Sequence, residues 1–450
     1  MKTHNIFFLI VCLIVGTTTT ISAQNKKLST PSWALQGNVY EVNTRQYTKE
    51  GRFNSFAKNL DRLKKMGIQT LWFMPINPIS KIDRKGTLGS YYAVSNYTAI
   101  NPEYGNLKDW NNLVKEAHEK GFKVIIDWVP NHTGADHPWL NSHPDFYVKD
   151  SSGKAISQFD WTDTRKLNYK NPAVSDSMIA AMMYWVKESG IDGFRCDQAH
   201  LVDSNFWYKA LPILKSNKNL LMIAESEDAW VHRAGFDISY PWKAFHIMVD
   251  IANQSKNALA LDSVQHEIDN SFTSSASLLY FTSNHDENSW NKADYGIMPG
   301  KIHEPFAVLS QTLPRSIPMI YGGQEEPILR PISFFEKDPM NFEKFQRSNF
   351  YTKLLQLRMS NSALAANVPM KKIMTDNDQS IYAFYRKKGK QFILVMVNLS
   401  PKQQSFSINS KDIKNINQEG IKELFSGTSI KSIPVAPLIL LPWESKLYYY

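Results

Sequence analysis

Three carboxylates, far apart along the chain, are the residues whose types and settings suit chemistry. Asp197 stands two positions after Arg195 in Ile191-Asp192-Gly193-Phe194-Arg195-Cys196-Asp197. Glu225 closes the apolar run Leu220-Leu221-Met222-Ile223-Ala224, and Asp286 follows Asn284-His285. In an extended chain, residues two apart leave the same face, so the side chains of Arg195 and Asp197 meet. A guanidinium favours the charged form of a neighbouring carboxylate. Asp197 is therefore expected to be ionised and suited to attack on the anomeric carbon of a sugar. A second carboxyl group crowded against it is kept protonated by the like charge, as a general acid requires. A third stabilises an oxocarbenium-like transition state. Such a set suits glycoside hydrolysis with retention, in which the reacting pair lies roughly 5–5.5 Å apart. On its own the Arg195–Asp197 pair is equally at home as a structural ion pair; the other two carboxylates favour chemistry.

The elements that must position these groups alternate along the chain. Strand-like apolar runs occupy 38–42, 68–74, 122–127, the stretch leading to Arg195, 220–224, a short segment near 236–238, 278–282 and 317–321. Helical patterns stand between them, including 53–66 and 107–120. Eight strand–helix units in this order predict a (β/α)8 TIM barrel, whose reactive groups sit at the C-terminal ends of its strands. Those ends carry Asp127 with Asn131-His132, then Arg195 and Asp197, then Glu225, then Asn284-His285-Asp286.

Two segments break the alternation. Residues 133–170, rich in His, Pro, Asp, Trp and Tyr, lack a helical period and are too long for an ordinary loop, so they read as a small insertion after strand three. The barrel is then expected over 24–132 and 171–365. From 366 to 450 short β-rich runs at 381–386, 391–399, 404–408 and 438–449 predict a C-terminal antiparallel β-sandwich that covers barrel helices.

Composition narrows the function classes. The 450 residues are 43% hydrophobic and 12% aromatic, enough for a large core with aromatic rings to spare for a sugar cleft. The charge of +9 is scattered with no basic arm, so no nucleic-acid partner is expected. Residues 1–23 have the basic start, short apolar run and Ala23 ending of a secretory signal, which predicts export to the periplasm or medium. Its apolar run is too short to span a bilayer, so no membrane anchor is expected after cleavage. Cleavage would also remove Cys12 and leave Cys196, a buried packing residue on its strand, with no disulfide partner.

The ordered set Asp127-Trp-Val-Pro-Asn131-His132, Gly193-Phe-Arg195-Cys-Asp197, Ala224-Glu225 and Phe281-Thr-Ser-Asn284-His285-Asp286 resembles the α-amylase superfamily of glycoside hydrolases, family 13. Gly37-Asn-Val-Tyr-Glu-Val-Asn, Ile320-Tyr-Gly-Gly-Gln-Glu325 and Tyr91-Tyr92 followed by Tyr97-Thr-Ala-Ile-Asn-Pro-Glu-Tyr-Gly105 extend the likeness over essentially the whole chain past the leader. The resemblance implies Asp197 as nucleophile, Glu225 as general acid/base and Asp286 as transition-state stabiliser. It implies that Arg195 orients Asp197, that neutral His132 and His285 contact sugar hydroxyls, and that Tyr92 stacks on the sugar. Asp127 would brace a loop, and Glu287 would point to the other face of a continuing strand. Gln198-Ala199-His200-Leu201-Val202-Asp203 departs from the lysine–histidine ending of true α-amylases and is closer to neopullulanase-like or oligosaccharide-acting members.

The implied activity is hydrolysis of α-1,4 linkages in starch or maltooligosaccharides through a glycosyl-enzyme intermediate, with no cofactor required. Family members bind calcium through the residue matching Asn131. No metal ligand is predicted here, and a structural calcium site stays open. Two alternatives also stay open. One is glucanotransferase action, with Trp230 and Trp290 flanking the cleft for an acceptor; the other is a non-catalytic glycan-binding relative. Substrate length, endo or exo action and oligomeric state are not legible in the sequence.

Overall fold

The computed structural model describes residues 30–414 and 420–450; the expected leader, 1–23, lies outside them. Eight parallel strands close into a barrel: β1 (Val39–Val42), β2 (Thr70–Phe73), β3 (Lys123–Trp128), β4 (Gly193–Cys196), β5 (Leu221–Ala224), β6 (Ile238–Ser239), β7 (Ser277–Tyr280) and β8 (Ser316–Tyr321). Each pairs with its neighbours in sequence, and β8 returns to β1, so no edge is left open. The strands are buried on both faces, which is why they read as unbroken apolar runs such as Val124-Ile125-Ile126. Gly193 is required at the start of β4, because a Cβ there would lie 1.9 Å from the Leu221 carbonyl oxygen of β5.

Helices pack apolar faces onto this wall. In the helix Leu107–Glu119, Trp110, Leu113, Val114 and Ala117 are buried at helical spacing. Asn106 and Asp109 close its first turn reciprocally as a capping box. The helix expected over 53–66 is two pieces, Phe53–Ala57 and Leu60–Met66. Between them the Asn59 amide donates to the Phe56 carbonyl at 3.3 Å, a local bond that competes with the helical ladder.

Three long segments crown the C-terminal end of the barrel, after β2 (74–106), after β3 (129–171) and after β8 (322–347). The second holds a small antiparallel pair, His132–Gly134 with Thr164–Lys166, and two short helical turns. Beyond the barrel, an antiparallel six-stranded sheet is joined by a two-stranded one, Gln404–Phe406 with Leu438–Leu440. The run expected as a single strand over 438–449 divides at Leu441-Pro442-Trp443-Glu444. Leu438–Leu440 and Ser445–Tyr449 therefore belong to different sheets.

The strand Gln391–Asn398 shows how this layer attaches. Phe392, Leu394 and Met396 enter the sandwich core, while Ile393, Val395 and Val397 join the barrel-side core with Leu309 and Leu313. Fully buried Arg386 donates to the carbonyls of Thr312, Leu313, Ala365 and Val368, fastening the sheet to the barrel.

Candidate active site

At the C-terminal end of β4 one guanidinium gathers three carboxylates. Arg195 Nη1 lies 3.0 Å from Asp127 Oδ1, on β3, and 2.9 Å from Asp197 Oδ1. Arg195 Nη2 lies 2.8 Å from Glu225 Oε1, just past β5, but out of line for a hydrogen bond, so that contact is ionic. The Nε of Arg195 donates to Tyr240 Oη at 3.2 Å, and Trp72 packs against the guanidinium. Glu225 is fixed independently by the Gln198 amide, which donates to its Oε2 at 2.8 Å.

A second cluster stands on β1 and the segment after β7. The Asn284 side chain accepts from the amides of Asp286 and Glu287, at 2.9 and 2.7 Å, and so starts a short helix, His285–Ser289. The strand ends at Tyr280, so the expectation that Glu287 points across a continuing strand does not hold. Glu287 is instead buried on that helix, accepting from Asn291. His285 Nδ1 donates to Glu41 Oε1 at 2.5 Å, and Nε2 faces Asp286 Oδ2 at 3.3 Å and Tyr92 Oη at 2.8 Å. Tyr92 Oη in turn donates to Asp127 Oδ2 at 3.0 Å and its ring stacks on His285, which links the two clusters. Asp127 thus braces Arg195 and, through Tyr92, the segment after β2.

The protonation pattern differs from the sequence reading in two ways. Burial pushes the Asp197 carboxyl up, the Glu225 charge adds to this, and Arg195 only partly reverses it. Arg195 was expected to hold Asp197 low. Asp127, which shares the same cation, is also pushed up, to about 6, by burial first. His285 was expected to be neutral. Burial opposes its charge, but Asp286 and Glu41 together raise its pKa well above the usual imidazole range, so it is an imidazolium. Asp286, 40% exposed, is held below the usual carboxylate range chiefly by His285, which outweighs its partial desolvation. His132 is neutral, lowered to about 4 by burial. Asn131 donates to its Nδ1, which leaves the proton on Nε2, a nitrogen with no partner among the described residues.

Asp197, Asp286, Tyr92 and His132 line one cavity of about 480 Å³. Glu225, 3% exposed, adjoins it through Gln198, and His285 and Arg195 lie behind its wall. Much of the lining was not singled out in the sequence: Lys85 and Ser90, then Asp160, Trp161, Asp163 and Thr164, and Phe334 with Phe335. Only an aromatic-rich composition hinted at the rings. Trp290 stands at the rim, 54% exposed, whereas Trp230, also expected there, packs against the core around Trp207 and Phe236. Asn131 donates to Gln158 as well as His132. Among the described residues no group of three or more His, Cys, Asp or Glu is gathered to hold a metal ion. Cys196 is buried.

A closed parallel barrel with paired carboxylates at the ends of β4 and β5, opening on an aromatic-lined cavity, defines a glycoside-hydrolase class of protein. The chain belongs to the alpha-amylase family: residues 34–387 match the alpha amylase catalytic domain. It is 27% identical to alpha-amylase 3 of Dictyoglomus thermophilum, over 84% of this chain and 88% of that protein. Among solved structures it is similar to a maltogenic alpha-amylase from Thermotoga neapolitana, with a TM-score of 0.83 and 26% identity over 92% of this chain and 99% of that one. An alpha-amylase from Lactobacillus plantarum also gives 0.83, with 25% identity over 93% and 100%.

Proposed function

We propose that the protein hydrolyses α-1,4-glucosidic bonds of starch or maltooligosaccharides with retention, through a covalent glycosyl-enzyme intermediate on Asp197. The observation that carries this reading is the Arg195 guanidinium, which holds Asp197 and Glu225 side by side, each at under 3 Å, next to a cavity. The names alpha-amylase and maltogenic alpha-amylase on similar proteins support the substrate class.

In the first half-reaction an Asp197 oxygen forms a bond to the anomeric carbon while the bond to the leaving oxygen breaks, and Glu225 gives that oxygen a proton. In the second, Glu225 takes a proton from water, whose oxygen displaces Asp197. Arg195 aims both carboxyl groups. Charge develops on the sugar as a cation, and ionised Asp286 faces it from the cavity wall. His132 offers an Nε2–H to a sugar hydroxyl, and Tyr92 supplies a ring for stacking, its Oη fixed by Asp127 and His285. The steps use no metal or cofactor. The leader pattern in 1–23 supports export as the location.

Glu225→Gln and Asp197→Asn, assayed on maltotriose and maltoheptaose, test the assignment. Each is expected to lower kcat by at least about 100-fold with sugar binding retained. Product chains longer than the substrate would show transfer competing with hydrolysis.

A further inference from the structure

The cavity is walled on one side only. The segment after β2 is the keystone of that wall. Towards the insertion, Asp83 pairs with Arg165 at 2.6 Å, the Lys81 amide donates to Asp136 at 2.7 Å, and Lys85 Nζ donates to the Asp160 carbonyl at 2.8 Å. Towards the segment after β8, the Thr87 amide and hydroxyl both donate to the Glu336 carboxylate, and the Leu88 amide donates to the Phe335 carbonyl at 3.0 Å. Buried Arg45 then ties the two segments together through the carbonyls of Leu88, Gly89 and Phe334.

Gly86 shows how tight this seam is. Its φ is +64°, and a Cβ would lie 2.6 Å from Phe335 Cβ, so the two segments touch where only glycine fits. The wall continues to the helix after β7, where Ser289 donates to the Ile332 carbonyl at 2.7 Å and Trp290 packs on Phe334.

On the other side no long segment stands, and only Asp197 and Gln198 reach the cavity. β4, β5 and β6 are followed within a few residues by helical turns, and nothing from 199 to 285 lines the cavity. Glu225 stands on that side. If Glu225 protonates the leaving oxygen, the departing sugar lies over β4–β6 and the sugar attacked by Asp197 lies against the wall. At the walled end Asp163 is buried beside Lys85, with one carboxylate oxygen lacking a partner among the described residues.

We propose that the protein is exo-acting. Its cavity takes the non-reducing end of a maltooligosaccharide and releases a short sugar, because the wall formed by 81–90, 158–165 and 333–336 leaves no path for a chain to continue past that end. This deepens the hydrolase reading and rests on its assignment of Glu225 as the acid.

The test compares p-nitrophenyl maltoheptaoside with the same compound capped by an ethylidene group at its non-reducing end, with products separated by chromatography. The wild-type protein is expected to cleave the uncapped compound at least about 100-fold faster, trimming it from the non-reducing end. The double variant Asp83→Ala, Glu336→Ala, shown to be folded by its circular dichroism, is expected to raise the capped-to-uncapped rate ratio by about tenfold or more. Comparable wild-type rates on both compounds, or an unchanged ratio in the folded double variant, would overturn the exo assignment with the hydrolase reading intact. Turnover of neither compound would overturn both.

Discussion

Arg195 and Asp127 meet at 3.0 Å with neither side chain exposed, on adjacent strands whose register sets the two residues side by side. That contact anchors the guanidinium, whose Nη1 also donates to Asp197 while Nη2 attracts Glu225 by charge. A carboxylate facing only one ion-pair partner would have more freedom to rotate out of line.

Replacing the guanidinium is therefore expected to cost both stability and rate. Arg195→Met leaves three buried carboxylates with no cation and should destabilise the fold by about 3–5 kcal/mol, read by urea denaturation. Arg195→Lys keeps the charge without the fork, and kcat is expected to fall about 100-fold or more. Near-normal kcat in Arg195→Lys would show that the fork does not aim the pair.

The acid side of the pH–rate profile should belong to carboxyl groups. Asp197 must be ionised to attack, and its pKa is raised by burial and by Glu225, so activity should begin to fall at a pH above the ordinary range of about 3.9. His132 titrates only near 4 and is neutral throughout the working range. His132→Asn is expected to lower kcat and leave the acid limb in place; a limb displaced by a full pH unit in this variant would contradict the assignment.

His285 behaves oppositely. Its pKa is raised, so the stability it contributes is fully present below the unfolded value of about 6.5 and is lost as pH rises through the folded value. His285→Gln keeps a hydrogen bond to Glu41 but removes the charge that holds Asp286 low. The variant is expected to lose about 100-fold or more in kcat. Its deficit in stability should shrink as the pH is raised well into the alkaline range, as followed by denaturation midpoints.

At the opposite end of the barrel, Asp192 accepts from the Val124 amide at 3.0 Å and contacts His118, Lys123 and Lys218. Burial opposes its charge, but these partners outweigh burial and hold its pKa low. Its contribution is present above the unfolded value of about 3.9 and disappears as pH falls through the folded value. Asp192→Asn should cost about 1–3 kcal/mol at pH 7, and the gap to wild type should narrow steadily in acid. A gap that is constant with pH would contradict the ion-pair account.

The barrel was legible because its strands are buried on both faces, so runs such as Val124-Ile125-Ile126 stand out, and because Asp197, Glu225 and Asp286 each follow such a run or lie close beyond it. What escaped detection depends on partners distant in sequence. The charge of His285 depends on Glu41, 244 positions away, as well as on neighbouring Asp286, and no local pattern announces the distant partner. Lys85, Asp163 and Phe334 become neighbours of the cavity only when three crown segments close on one another. The opposite direction of the Asp197 shift arises first from burial and then from the Glu225 charge beside it, neither of which the local motif shows. The break at Asn59 and the turn after Tyr280 are small polar competitions with the backbone that apolar periodicity does not register.

The most direct measurement is to trap the intermediate. Protein treated with a fluorinated α-glucosyl fluoride that forms the glycosyl-enzyme faster than water removes it, then digested and sequenced by mass spectrometry, should carry one added sugar on the peptide containing Asp197, and none when Asp197 is Asn. A sugar found on another residue, or complete turnover with inverted product and no labelled peptide, would contradict the account.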